Sequence, residues 1–236
     1  MLPAFSVVIP VFNEASRIGQ TVRATLDYLQ EVNPRNELIV VNDGSTDATG
    51  TIAREVLSGA KIPARLLENS PNRGKGAAVR TGLLAAQKAI GLFFDADLST
   101  PLEETPKVID PIASGKFDIA FGSRSLDRSL IGHHQPWRRE QGGRVFNLLV
   151  RVATGLPFWD TQCGFKAFRL DVCRPILEAA RIDGFAFDVE LLYLAQRAGL
   201  RLREIPVRWN HHEGSKVQFV HDSLRMLREV VALRRL

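Results

Sequence analysis

Two carboxylates spaced i, i+2 close a short apolar run in Phe93-Phe94-Asp95-Ala96-Asp97-Leu98-Ser99. If the run is a strand, its period of two aims Asp95 and Asp97 the same way. In an open α/β sheet, ligands bind beyond the carboxyl ends of the strands. Paired acidic oxygens there suit a hard divalent cation, Mg²⁺ or Mn²⁺, and such a cation holds a diphosphate. The plainer reading of the same pair is a cap for the next helix. These seven residues alone do not choose between the two.

Three other groups carry chemistry. Gly74-Lys75-Gly76 precedes an Ala-rich helical pattern, where backbone N–H groups and the lysine can meet a phosphate. The spacing is not that of a P-loop, and a tight turn onto a helix explains the glycines equally well. Asp43, in Asp43-Gly44-Ser45-Thr46-Asp47, reads locally as a turn aspartate. Between 124 and 151 stand six arginines, at 124, 128, 138, 139, 144 and 151, opposed by Asp127 and Glu140. Guanidinium binds phosphate in a bidentate fork that lysine cannot copy. A solvated basic face is the bland alternative, and the better one for Arg128 and Arg144.

The elements that must position these groups follow from periodicity. Strands are expected at 5–11, 37–41, 65–68, 90–94 and 118–121, with helices between them. Asn13 or Ser16 is the expected cap of the first helix, whose apolar face is Ile18, Val22, Leu26 and Leu29. The third helix is expected at 75–89, and Thr100-Pro101 is expected to open the fourth. This alternation predicts a mostly parallel sheet flanked by helices in one α/β domain. Beyond residue 121 the pattern loosens. A polar loop is expected over 125–135, a basic helix over 138–154, helices near 171–180 and 187–198, and a strand at 202–207. An amphipathic helix ends the chain.

The 236 residues are 45% hydrophobic and 24% charged, which fits a globular protein with a sizeable core and not a disordered chain. The net charge of +5 and a pI near 9.6 permit nucleic acid, an anionic surface or phosphorylated ligands. No stretch reaches the roughly 18 apolar residues of a membrane span, and the start lacks a signal-peptide pattern. Two cysteines make neither a disulfide framework nor a zinc site, so a cytoplasmic setting is expected.

Taken in order, Val8 to Glu14, Val41 to Asp47, Asn72 to Arg80 and Phe94 to Asp97 resemble the nucleotide-sugar domain of glycosyltransferase family 2, the GT-A fold. Asp160-Thr161-Gln162-Cys163-Gly164-Phe165-Lys166 and Glu213-Gly214-Ser215-Lys216 resemble its branch making polyprenyl- or dolichyl-phosphate sugars, and there the dolichyl-phosphate β-glucosyltransferases. The resemblance covers nearly the whole chain. It implies a nucleotide-sugar half over about 1–121 and an acceptor half over about 122–236.

The resemblance also implies roles. Pro10, Phe12 and Glu14 line the nucleoside pocket, and Asp43 accepts from the base. Lys75 meets the diphosphate. Asp97 ligates Mg²⁺ or Mn²⁺, and Asp95 reaches the metal or the sugar. Arg124, with Arg138 or Arg139, holds the acceptor phosphate, and Lys216 adds a contact. Asp160 is the candidate base. A phosphate monoester with a second pKa of about 6 needs no base, however, so Asp160 orienting an arginine or a sugar hydroxyl stands beside that role. The family pattern has an aspartate where Asn42 stands, and often a serine where Gly142-Gly143 stands.

The expected reaction is inverting, metal-dependent transfer of a hexose from a nucleotide sugar, UDP-glucose first, to polyprenyl phosphate. Nucleic acid is not an expected partner. Contact with a membrane is expected to be peripheral, at its cytoplasmic face, through the stripe Val145, Leu148, Leu149 and Val152 or the stripe Val220, Leu224, Leu227 and Val231. Two alternatives stand. A hydroxyl acceptor would make Asp160 essential as a base. A non-catalytic module binding anionic ligands would explain the pI alone.

Overall fold

The computed structural model describes residues 2–133, 136–211 and 219–233, without the side chains of 138, 139 and 219–224. The first half alternates as the periodicity requires. Strands β1 (Ser6–Val11), β2 (Glu37–Asp43), β3 (Ala64–Asn69) and β4 (Ile90–Phe94) are linked by α1 (Ile18–Val32), α2 (Thr49–Ser58) and α3 (Lys75–Ala85). Then come α4 (Thr105–Ala113), β5 (Ile119–Ser123), β6 (Ile131–His133), α5 (Trp137–Thr154), β7 (Phe165–Arg169), α6 (Leu170–Ala179), α7 (Phe187–Arg197), β8 (Leu202–Pro206), β9 (Trp209–Asn210) and α8 (Phe219–Ala232).

Seven strands form one sheet in the order β3-β2-β1-β4-β7-β5-β8. All run parallel except β7, which is antiparallel to both β4 and β5. Both faces are buried, so β2 reads as a continuous run rather than an alternating one. Val8, Ile39 and Val41 face a layer built from α3, α5, α6, α7 and α8. Val7, Ile9, Leu38 and Val40 face α1, α2 and α4. Helix α3 lies flush on the sheet, because a Cβ on Gly82 would stand 2.3 Å from Val8 Cγ1.

The strand directions decide where the chemistry gathers. β1, β2, β4, β5 and β8 all end at one edge of the sheet. β7 runs the other way, so its first residue is at that same edge, with Phe165 opposite Phe94. The segment before β7 therefore arrives beside Asp95.

Several expectations need correction. No side chain caps α1; Asn13 instead accepts from Thr46 N at 2.8 Å, lacing the β1 and β2 ends together. Helix α3 stops at Ala85 because Ala86 turns extended and 87–89 lead into β4, with Gln87 N donating to Glu37 at 2.9 Å and Lys88 N to Ser6 Oγ at 3.1 Å. Pro101 is extended, and the helix it was expected to open starts at Thr105 after a short 3₁₀ turn. The expected polar loop at 125–135 contains β6, which pairs with β9. β7 itself was not foreseen.

Candidate active site

The expected donor side is built from the ends of β1, β2 and β4 and the start of α3. Pro10, Phe12 and Glu14 alternate along the β1 exit, and Glu14 pairs with Arg17 at 3.0 Å. Asp43 is buried and accepts from Asn69 Nδ2 (2.8 Å), Asn72 Nδ2 (2.9 Å) and the N–H groups of Arg73 (3.2 Å) and Gly74 (2.7 Å). A carboxylate offers about four lone-pair sites, and here they are used internally. Asp43, expected to accept from the base, thus clamps the loop entering α3. Gly74 sits at φ +117, and a Cβ there would stand 2.4 Å from the Asp183 carbonyl oxygen. Only glycine fits that approach.

Lys75, the first residue of α3, reaches across to Asp95 at 2.6 Å. Its ammonium lies 6.0 Å from the Phe187 ring centroid. Burial works against its charge, but Asp95 and Asp188 hold its pKa above the ordinary lysine value. Asp95 also rests on the backbone of Gly164, where a Cβ would stand 2.2 Å from its Oδ2. Asp97 accepts from Ser99 N at 2.9 Å, a local turn bond, and neither carboxylate caps the helix that follows. Among the described residues no cluster of three or more His, Cys, Asp or Glu is placed to hold a metal. Two carboxylates with remaining positions filled by phosphate oxygens and water are a normal donor set for Mg²⁺ or Mn²⁺, and Asp95 with Asp97 fits that description.

The expected acceptor side opens beyond β5 and β8 into a cavity of about 510 Å³. Arg124, directly after β5, meets Asp160 through both ends of its guanidinium: Nε donates to Oδ2 at 2.7 Å and Nη2 to Oδ1 at 2.8 Å. The Arg124 N–H donates to Oδ2 as well, at 2.9 Å. Burial alone would raise the Asp160 carboxyl, but Arg124 overrides it and holds the pKa below the usual carboxylate range. Arg124 in turn is held protonated. The Trp209 ring lies 5.5 Å from Arg124 Cζ, and Arg151 stacks on Trp159 at 4.0 Å.

Arg128 and Arg144, expected on a solvated face, line this cavity too. Arg128 pairs with Glu140, and Arg144 stands 3.8 Å from it. Arg138 and Arg139 fall in the first turn of α5, but their side chains lie outside the described residues, as does Lys216. Trp159 and Trp209 were missed from sequence; nothing local marks an aromatic as a cavity wall.

Behind both halves lies a fully buried pair. Lys166 on β7 donates to Asp188 at 2.6 Å and to the Cys163 carbonyl at 2.5 Å. Burial pushes the Asp188 carboxyl up, with Lys166 pulling the other way. Cys163 is buried, and desolvation pushes its thiol up to about 12. It is no nucleophile at neutral pH.

On the outer face of α5, Val145, Leu148, Leu149 and Val152 are 59%, 57%, 41% and 68% exposed. The second expected stripe is different: Met226 and Val230 of α8, with Leu233 just beyond it, enter the core, Leu227 packs partly buried against it, and Val231 is exposed. Val220 and Leu224 lie outside the described side chains. No helix of the described residues is long and apolar enough to cross a membrane.

A mostly parallel sheet with a carboxylate pair at the end of β4, a lysine at the mouth of α3 and an arginine-lined cavity beyond β5 defines a glycosyltransferase of the GT-A fold. The chain belongs to glycosyl transferase family 2, whose model matches residues 6–177. Dolichyl-phosphate beta-glucosyltransferase of Saccharomyces cerevisiae is 34% identical over 97% of this chain and 73% of its own length. The enzyme of that name from Drosophila melanogaster is 36% identical over 95% of this chain and 72% of its own. Among solved structures, Mycobacterium tuberculosis glucosyl-3-phosphoglycerate synthase in complex with Mn²⁺, UDP and phosphoglyceric acid superposes with a TM-score of 0.66. It is 21% identical, over 98% of this chain and 77% of that one.

Proposed function

We propose that this enzyme transfers a hexose, glucose first, from UDP to a polyprenyl phosphate of the dolichyl type, with inversion. The observation that carries the reading is the Arg124–Asp160 pair facing an arginine-lined cavity whose rim includes Leu148, next to the exposed apolar face of α5. A cavity for a phosphate continuous with an apolar surface suits an acceptor that is half anion and half hydrocarbon. The names of the relatives agree with it.

In this reading residues 1–121 take the donor and 122–236 the acceptor. Pro10, Phe12 and Glu14 contact the nucleoside and Asp43 its base, while the same carboxylate holds the loop entering α3. Lys75 faces the diphosphate. Asp97 and Asp95 are the residues that would hold Mg²⁺ or Mn²⁺. When bound, the cation neutralises charge developing on the departing diphosphate. Arg124 aligns the acceptor phosphate, with Arg138, Arg139 and Lys216 as further contacts. A dianionic phosphate oxygen attacks the anomeric carbon as the bond to the UDP oxygen breaks, and UDP leaves with that electron pair. No proton moves, so no base is required. Asp160, ionised and occupied by Arg124, is placed to orient and not to deprotonate. The face of α5 rests on the cytoplasmic side of a membrane, where the acceptor's hydrocarbon is dissolved.

The test is transfer of labelled sugar from UDP- and GDP-sugars into an organic-extractable polyprenyl phosphate, with Mg²⁺, Mn²⁺ or EDTA. Metal-dependent lipid label from UDP-glucose is the expected result. Transfer only to a hydroxyl acceptor, with a titrating base, would overturn the reading. Donor binding without any transfer would instead favour a non-catalytic module.

A further inference from the structure

The segment between α5 and β7 carries Asp160, yet 156–164 form neither helix nor strand. Two side chains from opposite sides hold its main chain. Glu204, on β8, accepts from Trp159 N at 2.9 Å and from Asp160 N at 2.7 Å. Asn147, on α5, donates through Nδ2 to the carbonyl oxygens of Phe158 (3.2 Å) and Trp159 (2.7 Å). Its Oδ1 accepts from Thr161 Oγ1 at 3.2 Å. Glu204 therefore takes the N–H groups up to Asp160, and Asn147 takes the two carbonyls before it and the Thr161 N–H after it, at 3.4 Å.

We infer that Asn147 and Glu204 are positioning residues that set Asp160, and through it the Arg124 guanidinium, for the acceptor phosphate. The inference rests on the acceptor reading above. The geometry runs in one line: Glu204 and Asn147 fix the peptide groups on either side of Asp160, and the Asp160 carboxylate then takes three N–H groups of Arg124. Orientation matters here because a guanidinium presents its donors in a rigid fork. A tilt of the Asp160 side chain removes the fork from register without removing its charge. Asn147 also sits one residue before Leu148, on the helix that exposes the apolar stripe. The loop that aims the arginine is thus tied directly to the surface on which a lipid acceptor would arrive.

The test is steady-state transfer by the full chain to a short-chain polyprenyl phosphate, with UDP binding as a control for the donor half. Asn147→Ala is expected to raise the acceptor KM about tenfold, the effect of losing a few half-buried or exposed hydrogen bonds together, with UDP affinity unchanged. In an Arg124→Ala background the same substitution should add nothing, because its effect passes through Arg124. Glu204→Ala should behave like Asn147→Ala. Glu204→Gln, which keeps one oxygen able to take both amides, should fall between it and wild type.

An Asn147→Ala effect that persists in full without Arg124 would mean direct contact with the acceptor and would overturn the inference. So would an unchanged KM, or Glu204→Gln as defective as Glu204→Ala. If Arg124→Ala itself left acceptor KM unchanged, the acceptor reading would fall and the positioning role with it. The inference alone falls if Arg124→Ala is impaired and Asn147→Ala is not.

Discussion

Asp160→Asn separates orienting an arginine from taking a proton. The carboxylate accepts three N–H groups of Arg124 at 2.7, 2.8 and 2.9 Å. An asparagine keeps one oxygen and turns an NH₂ group toward a donor, so at least one charge-assisted bond to the guanidinium fails. Such a bond contributes about 1.5–3 kcal/mol. Expressed wholly in the transition state, that is a loss of about 10- to 150-fold in kcat/KM. Removing a general base typically costs about 10²–10⁴-fold, so the ranges overlap and magnitude alone does not decide. The pH profile does. With phosphate as nucleophile, kcat/KM should rise through the acceptor's own second ionisation at about pH 6. Asp160, held below the ordinary carboxylate range, stays ionised throughout that rise. Asp160→Asn should therefore lower the whole profile and leave the limb in place. A variant that lost the limb, or fell by more than about 10⁴-fold, would refute the orienting role and make Asp160 the base.

Three further outcomes are expected. Lys166→Met leaves the Asp188 carboxylate buried without its ammonium and should destabilise the fold by about 3–5 kcal/mol in urea titration, part of which Lys166→Met/Asp188→Leu should recover; a change in the single variant below about 1 kcal/mol would contradict that. Asp118 is lowered first by its hydrogen bonds from Arg201, and Asp160 is lowered too, so in acid the unfolded chain binds their protons first. The stability they contribute is present above the unfolded carboxylate value of about 4 and is lost as pH falls through their folded values. Asp118→Asn should flatten that acid limb in denaturation measured across pH, and an unchanged slope would count against it. On the face of α5, Leu148→Asp/Val152→Asp should weaken binding to anionic phospholipid vesicles about 10- to 30-fold, at roughly 1 kcal/mol per half-exposed side chain, while UDP binding stays intact; unchanged sedimentation with vesicles would remove α5 as the contact.

The donor half was legible because its information is local. A buried parallel strand must be apolar along its length, and its end is marked by the first polar residues, as at Asp43 and Asp95. The acceptor half was less so, since its contacts join residues far apart in the chain. β7 carries Lys166 as the second residue of a buried strand, and a lysine there argues against a core strand until Asp188, 22 residues on, is known to meet it. Arg124 and Asp160 were each legible as chemistry, and so was Asp160 orienting an arginine, but not that this arginine is Arg124, 36 residues away.

Asn147 and Glu204 were invisible for the same reason, and their case explains why a site of this kind is hard to read from sequence. The residues that touch ligands are charged and stand in motifs. The residues that aim them are ordinary polar side chains, on a helix and a strand whose patterns are already accounted for by packing. What distinguishes them is that each satisfies main-chain groups of an irregular segment, which must find partners when it is not on the open surface. Wherever such a segment bears a charged residue into a cavity, the side chains that satisfy its backbone are the ones whose loss should be felt at the site.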